Sequence, residues 1–381
     1  MKTYIYADKF FLPQGVEGKG YLEIKDGKFG HYQKEKPQSG EIVDYSGKYV
    51  APGLVDTHIH GYAGADVMDN DAEGLQRMSE GLLSCGVTSF LATTLTADHD
   101  LLLSVSKTIR EVKGKERGAK IQGIFFEGPY FTEKYKGAQN PKYLTKPCLD
   151  EFHAWQEASG NLIKKIALAP EYAEAVEFTK QLTKEGVVVA LGHSDATYEQ
   201  AKAVAEAGAS IFVHTFNGMR GFTHREPGMA GAALTLPHAY RELICDGHHV
   251  HPKACDALIK AVGHEQVALI TDCMCAGGMP EGQYMLGELP VTVKDGTARL
   301  EAGNLAGSIL ELKDAVHNVV DWNLATVEQA IMMASHVPAV SCKMDDVCGQ
   351  IKAGYDADFI VLTPELELEC TYLNGECRYQ K

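Results

Sequence analysis

The sequence predicts an α/β fold class: a (β/α)8 barrel of the TIM type with a small β-sandwich domain assembled from both chain ends. Three observations lead there. Eight short apolar or β-branched runs recur from residue 50 onward, segments with helical spacing separate them, and the chain ends carry a hairpin pattern unlike the middle. A closed barrel of parallel strands has that strand number, and its connections are helices.

In chain order the runs are YVAPGLVDTHIH, VTSFLATT, IQGIFFEGP, IKKIALAPE, VVVALGHS, IFVHTFN, RELICDG and VALITDC. Between them, DAEGLQRMSEGLLSCG, AEAVEFTKQLTKEG and TYEQAKAVAEAG place apolar residues one helical turn apart and close on a Gly suited to a C-cap. The flanks differ. Residues 1–49 alternate in strand fashion, with an Asp26-Gly27 hairpin cue inside YLEIKDGKFGHY. The tail after residue 348 repeats this in GQIKAGYDADFIVL and ELECTYLNGECRY, with an Asn374-Gly375 turn. The expected division is therefore 1–49 with 348–381 as the small β domain and 50–347 as an uninterrupted barrel. No internal repeat, low-complexity tract or Pro-, Gly- or Ser-rich linker interrupts it.

Composition sets limits on function. At 381 residues, with 45% hydrophobic and 23% charged residues, the chain can bury a large core and has ordinary globular values. A net charge of −15 argues against nucleic acid or an anionic membrane surface as partner. An anionic substrate would need locally placed cations. The ten cysteines form no CxxC pair, the N-terminus MKTYIYADKF has no apolar signal core, and no stretch has membrane-spanning length. A cytoplasmic protein with reduced thiols is the expectation. Cys273-Met274-Cys275 is the one close pair, readable as two soft metal ligands or, preferably, as structural cysteines.

The chemistry of such barrels collects at the carboxyl ends of the strands. In VDTHIHG, residues i and i+2 of a strand face the same side, so His58 and His60 aim at one point. The third run ends in Glu127, the fifth in His193, the sixth in His214 and the eighth in Asp272. Neutral imidazole and carboxylate suit a borderline divalent cation such as Zn²⁺, Fe²⁺ or Mn²⁺. Taken singly, each is more simply a satisfied core residue. Six of them at strand ends read together as a metal site.

The order His-x-His, Glu, His, His, Asp along such a chain resembles the amidohydrolase superfamily of metal hydrolases. Further stretches narrow the resemblance: FEGPYF at 126–131, KGAQNP at 136–141, LGHSDATYEQ at 191–200, VHTFNGMRGFTHREPGMAGA at 213–232, CDGHHVHP at 245–252, TDCMCAGG at 271–278 and LAGS at 305–308. Through nearly the whole chain they resemble the N-acetylglucosamine-6-phosphate deacetylase family. The resemblance implies a main metal site at Glu127, His193 and His214, and a second one completed by His58 and His60 with Glu127 between the ions. One or two divalent ions per chain follow, Zn, Fe, Mn or Co, with Asp272 as the acid–base residue. Substrate contacts are implied at Ala138 and Gln139, Asn217 and Gly218, Arg225, His249 and the Leu305-Ala306-Gly307 turn. A homodimer is implied as well, with the Arg225 loop serving its own or the partner's site. Many family members have His where this chain has Gln139, an amide that donates hydrogen bonds but is never cationic.

Amide hydrolysis needs a nucleophile near neutral pH and stabilisation of the charge growing on the carbonyl oxygen, and a divalent metal supplies both. Asp272 would take the proton of water and pass it to the departing amine. His249 would donate to the acetyl carbonyl or the sugar, or else be a structural His of the HHVH cluster. Arg225, in RGFTHREPG, has the planar fork for a phosphate, or pairs at the surface with Glu226. EPGMAGAAL and LAGS lack nucleotide-binding spacing. The reaction the resemblance implies is hydrolysis of N-acetylglucosamine 6-phosphate to glucosamine 6-phosphate and acetate. Two other readings stay open: an amidohydrolase acting on an N-acyl amino acid or cyclic amide, and a non-catalytic scaffold, whose signature would be missing ligands.

Overall fold

The computed structural model describes residues 2–381. Each apolar run contributes one strand to a single eight-stranded parallel sheet: Leu54–Ile59, Val87–Thr94, Lys120–Glu127, Ile163–Leu168, Val188–Leu191, Ile211–Phe212, Tyr240–Leu243 and Val267–Leu269, neighbours in that order. Every residue of the first two strands is buried. Strands covered by helices outside and by packed side chains inside must be apolar along their length, which is why they read as runs rather than alternations. The sheet closes from last strand to first through a parallel bridge of Ile59 with Cys273, and the Asp272 amide donates to the His58 carbonyl at 2.9 Å.

A helix follows each strand: Ala72–Leu82, His99–Val112, Leu149–Ser159, Ala175–Lys184, Tyr198–Glu206, Gly228–Thr235, Pro252–Val262 and Leu312–Asp321. Local chemistry sets their ends. Thr197 and Gln200 form a reciprocal capping box before Tyr198–Glu206, and Gly160 stops Leu149–Ser159 in the left-handed conformation. Two further helices, Val327–Met333 and His336–Ser341, shut the amino-terminal end of the barrel. There Ala339, Cys342 and Met344 pack with Val55, Leu91 and Phe125, leaving the carboxyl ends of the strands as the open mouth.

The chain ends form one continuous sheet of eight strands: Lys2–Leu12, Gly15–Glu17, Gly20–Lys25, Lys28–Gln33, Glu41–Pro52, Phe359–Leu362, Leu368–Leu373 and Glu376–Gln380. It curls over a core of its own that includes Ile5, Phe10, Leu22, Phe29, Val50, Phe359 and Tyr372. Asp26-Gly27 and Asn374-Gly375 are its hairpin turns, all four residues at positive φ, and the turns meet: Ala357 donates to the Gly27 carbonyl and receives from Gly375. The first run, YVAPGLVDTHIH, divides between sheet and barrel at Gly53. A Cβ there would lie 2.1 Å from Thr88 Oγ1, so the crossing needs glycine.

One element is absent from the sequence expectation. Between the eighth strand and its helix stands a three-stranded antiparallel sheet, Gly282–Leu286, Leu289–Lys294 and Thr297–Leu300. It brings Leu286, Arg299 and the 303–307 segment to the barrel mouth.

Candidate active site

His58, His60, Glu127, His193, His214 and Asp272 come together at the mouth, all of them buried. Glu127 lies at the centre. Its Oε1 is 3.1 Å from His193 Nε2, 3.0 Å from His214 Nε2 and 3.3 Å from His58 Nε2, while Oε2 is 3.3 Å from His60 Nε2. Asp272 Oδ1 stands 3.1 Å from His60 Nε2 and 3.5 Å from His58 Nε2. Three overlapping sets each offer three ligand atoms within 4.8 Å of one another: Glu127-His193-His214, His58-His60-Glu127 and His58-His214-Asp272.

The backbone is bent to aim these side chains. His193, His214 and Asp272 have φ of 46°, 28° and 51°, a left-handed conformation that residues with a Cβ adopt only when their surroundings impose it. The next residues are tied down: Ser194 N donates to Gly218 O, Thr215 N to Glu242 O and Cys273 N to Thr271 Oγ1. Gly218 is itself required, since a Cβ on it would sit 3.0 Å from His193 Nδ1 at a φ of 59°.

All four imidazoles turn the same nitrogen to the centre. Nδ1 of His193 faces the Tyr135 carbonyl at 3.0 Å, that of His214 the Asn217 carbonyl at 3.1 Å, that of His60 the Thr93 carbonyl at 3.3 Å and that of His58 the Glu242 carboxylate at 2.9 Å. Each partner accepts only, so Nδ1 carries the proton and Nε2 presents a lone pair. With its imidazoles neutral the centre offers four nitrogen lone pairs and two carboxylates, and Gln139 Nε2 donates to Glu127 Oε2 beside them. His58 Nε2 has no hydrogen-bond partner. Such a buried, convergent set fits a divalent cation held by imidazole and carboxylate.

Electrostatics agree. Burial opposes charge on His58, yet the Asp272, Glu127 and Glu242 carboxylates outweigh it and raise the imidazole to about 9. His60 is raised in the same way, against its burial, by Asp272 and Glu127. In turn His58 and His60 overcome burial at Asp272 and hold it at about 2, and the histidines hold Glu127 well below the carboxylate range. The site calls for positive charge.

Above this centre opens a cavity of about 380 Å³. Ala138, Gln139, Asn217, Gly218, His249, Leu305 and Gly307 line it, together with His60, Glu127, His193, His214 and Asp272. Three of the residues singled out in the sequence are elsewhere. His58 lies beneath the others with no exposure; Ala306 turns into the core; and Arg225 is exposed on the loop after the sixth strand, outside the cavity of its own chain. Arg225 makes no ion pair with Glu226, whose carboxylate accepts from the Tyr198 and Gly228 amides. Cys273 and Cys275 are packed, with burial raising both thiols.

The structure adds residues the sequence reading passed over. Arg299, Asn304, Leu95 and Leu286 line the cavity. Asp246 Oδ2 lies 2.6 Å from His249 Nδ1, fixing a ring that faces the substrate space. The spacing of three between them in CDGHH was the available signal.

Fold and site together define a metal-dependent hydrolase of the amidohydrolase class. The chain belongs to the amidohydrolase family, whose sequence profile matches residues 49–377. Among its relatives are sugar-phosphate deacetylases. It is 42% identical to the N-acetylglucosamine-6-phosphate deacetylase of Vibrio furnissii, over 85% of this chain and 81% of that one. It is 38% identical to the N-acetylgalactosamine-6-phosphate deacetylase of Escherichia coli O157:H7, over 99% of both. A mutant N-acetyl-D-glucosamine-6-phosphate deacetylase from Mycobacterium smegmatis, solved with N-acetyl-D-glucosamine-6-phosphate, superposes over the full length of both chains with a TM-score of 0.94 at 30% identity.

Proposed function

We propose that this chain hydrolyses the acetamide of N-acetylglucosamine 6-phosphate to glucosamine 6-phosphate and acetate. The observation that carries the reading is the buried cluster of four imidazole nitrogens and two carboxylates at the floor of a sugar-sized cavity. Glu127, His193 and His214 would hold one divalent ion, and His58 and His60 a second one sharing Glu127. A bound ion supplies Lewis acidity, making water acidic enough to act near neutral pH and polarising the carbonyl.

The chain's own groups do the rest. Asp272 accepts the proton of the attacking water and delivers it to the amine as the C–N bond breaks. Held below the ordinary carboxylate range by His58 and His60, it is ionised at neutral pH. Gln139 and His249 line the cavity and orient the acetyl and sugar oxygens, the amide fixed by the Thr96 N–H and the ring by Asp246. Phosphate recognition falls to Arg299 within the chain and to Arg225 across a homodimer. The ten free cysteines support a cytoplasmic setting. Among the described residues no helix is long and apolar enough to cross a membrane.

The relative acting on the galactosamine epimer favours one second reading, N-acetylgalactosamine 6-phosphate as the preferred substrate. Steady-state kinetics of acetate release from both 6-phosphates and from unphosphorylated N-acetylglucosamine decides. The first should give the highest kcat/KM; a higher value for the galacto epimer selects the second reading, and equal values with and without phosphate reject both.

A further inference from the structure

Of the four imidazoles that converge on Glu127, three rest their Nδ1 on main-chain carbonyls and only His58 rests it on a charged side chain. That side chain, Glu242, comes from the seventh barrel strand and is wholly buried. Its second oxygen pairs with Lys165 from the fourth strand, also without exposure. Lys165 in turn donates to the Thr57 carbonyl at 2.8 Å, the residue just before His58, and lies 3.6 Å over the Phe125 ring. A lysine and a glutamate inside a barrel are costly to desolvate, and breaking such a pair leaves a buried charge. Nothing in amide hydrolysis calls for them: neither lines the cavity.

We infer that the buried Lys165–Glu242 pair is a positioning device that makes His58 a metal ligand and so determines whether the second cation is held. The inference rests on the two-ion reading above. Glu242 accepts the Nδ1 proton of His58, which leaves the Nε2 lone pair aimed between Glu127 and Asp272. A carboxylate behind a liganding imidazole fixes its tautomer and ring angle and makes it a better donor, and losing such a partner costs 10–100-fold in metal affinity. Lys165 prevents Glu242 from turning away and holds the strand on which His58 sits. The main site, Glu127-His193-His214, has its two imidazoles backed by carbonyls and does not depend on this pair.

The test is zinc titration of the metal-free full chain, with ion content measured per chain, in the parent and in two double variants. In Lys165→Met/Glu242→Leu, the second ion should bind about 10–100-fold more weakly and the first within a factor of about three. In Lys165→Met/Glu242→Gln the amide oxygen can again accept from Nδ1, and the second ion should regain part of the lost affinity while staying weaker than in the parent. Unchanged binding in the first variant, or no recovery in the second, overturns the inference. A parent that holds a single ion at saturation overturns the two-ion reading and this inference with it. A measurement on the unaltered protein guards against variants that fail to fold. Nitrogen-15 NMR of histidine-labelled, zinc-loaded chain should find His58, assigned by its loss in His58→Gln, protonated on Nδ1 and metal-bound through Nε2. The opposite tautomer overturns the inference while leaving both ions in place.

Discussion

Gln139 Nε2 donates to Glu127 Oε2 at 2.6 Å, and the Thr96 amide holds the Gln139 carbonyl from the other side at 2.9 Å. The amide cannot flip without losing both bonds, so its nitrogen is fixed toward the centre. The amide is a neutral donor and adds no titratable group beside Glu127. Hydrogen bonds to charged partners contribute about 1.5–3 kcal/mol. Gln139→Leu, similar in volume and unable to donate, should therefore lower kcat/KM about 10–100-fold and loosen the ion bound through Glu127. Parent-like metal affinity together with parent-like kinetics would remove Gln139 from the site.

Arg225 and Arg299 give a prediction about subunits. Arg299 lines the cavity of its own chain, whereas Arg225 lies outside it. Arg299→Ala should lower kcat/KM for the phosphorylated sugar about tenfold or more while sparing the unphosphorylated one. If the Arg225 loop serves the neighbouring cavity, mixing inactive Arg225→Ala and Asp272→Asn chains under conditions of subunit exchange should restore activity. Hybrid dimers then hold one complete site each, about a quarter of all sites after random exchange. No recovery despite demonstrated hybrids would place Arg225 in its own chain's chemistry or outside chemistry altogether.

Much of this arrangement was legible beforehand, and the residues that were not share a physical cause. Parallel strands buried on both faces read as apolar runs, so all eight barrel strands stood out, and ligands at strand ends follow from the architecture. Lys165 and Glu242 were in plain view within IKKIALAPE and RELICDG. Which face of a strand a charge occupies depends on register, and neither run alternates clearly enough to set it. Gly282–Leu300 carries an Asp295-Gly296 turn that marks a hairpin, but an insertion among helices has no place in an eightfold alternation. Arg225 was singled out by resemblance alone, and an exposed loop arginine leaves no signature in the pattern of apolar runs.

Removing the metal should expose a pH dependence. His58 is raised to about 9 by its carboxylate neighbours, above the ordinary imidazole value near 6.5. A raised folded-state pKa contributes stability that is complete below about 6.5 and lost as the pH climbs through about 9, on the order of 3 kcal/mol in all. Chelator-treated protein should accordingly melt at lower temperature at pH 9 than at pH 6.5. Ion binding must displace that proton, so zinc affinity should rise over the same window. A melting temperature of the metal-free chain that is flat from pH 6.5 to 9 would show that the carboxylates do not hold the imidazole proton.

Asp272 is the remaining group to isolate, because it adjoins the proposed metal ligands and is also the proposed acceptor of the water proton. Its Oδ1 is 3.1 Å from His60 Nε2, yet Glu127, His193 and His214 form a three-ligand set without it. Asp272→Asn keeps the shape and the Ser308 amide bond to its carbonyl, measured at 2.7 Å, so the left-handed turn at the strand end should survive. What disappears is the proton acceptor, and general acid–base groups contribute about 10²–10⁴-fold. Turnover should therefore fall by that amount at neutral pH while one ion per chain stays bound through Glu127, His193 and His214. Substrate affinity, measured by calorimetry on the inactive variant, should change little, since the sugar contacts lie on other loops. Loss of all metal would make Asp272 a principal ligand instead of the base, and a near-normal kcat would remove it from proton transfer.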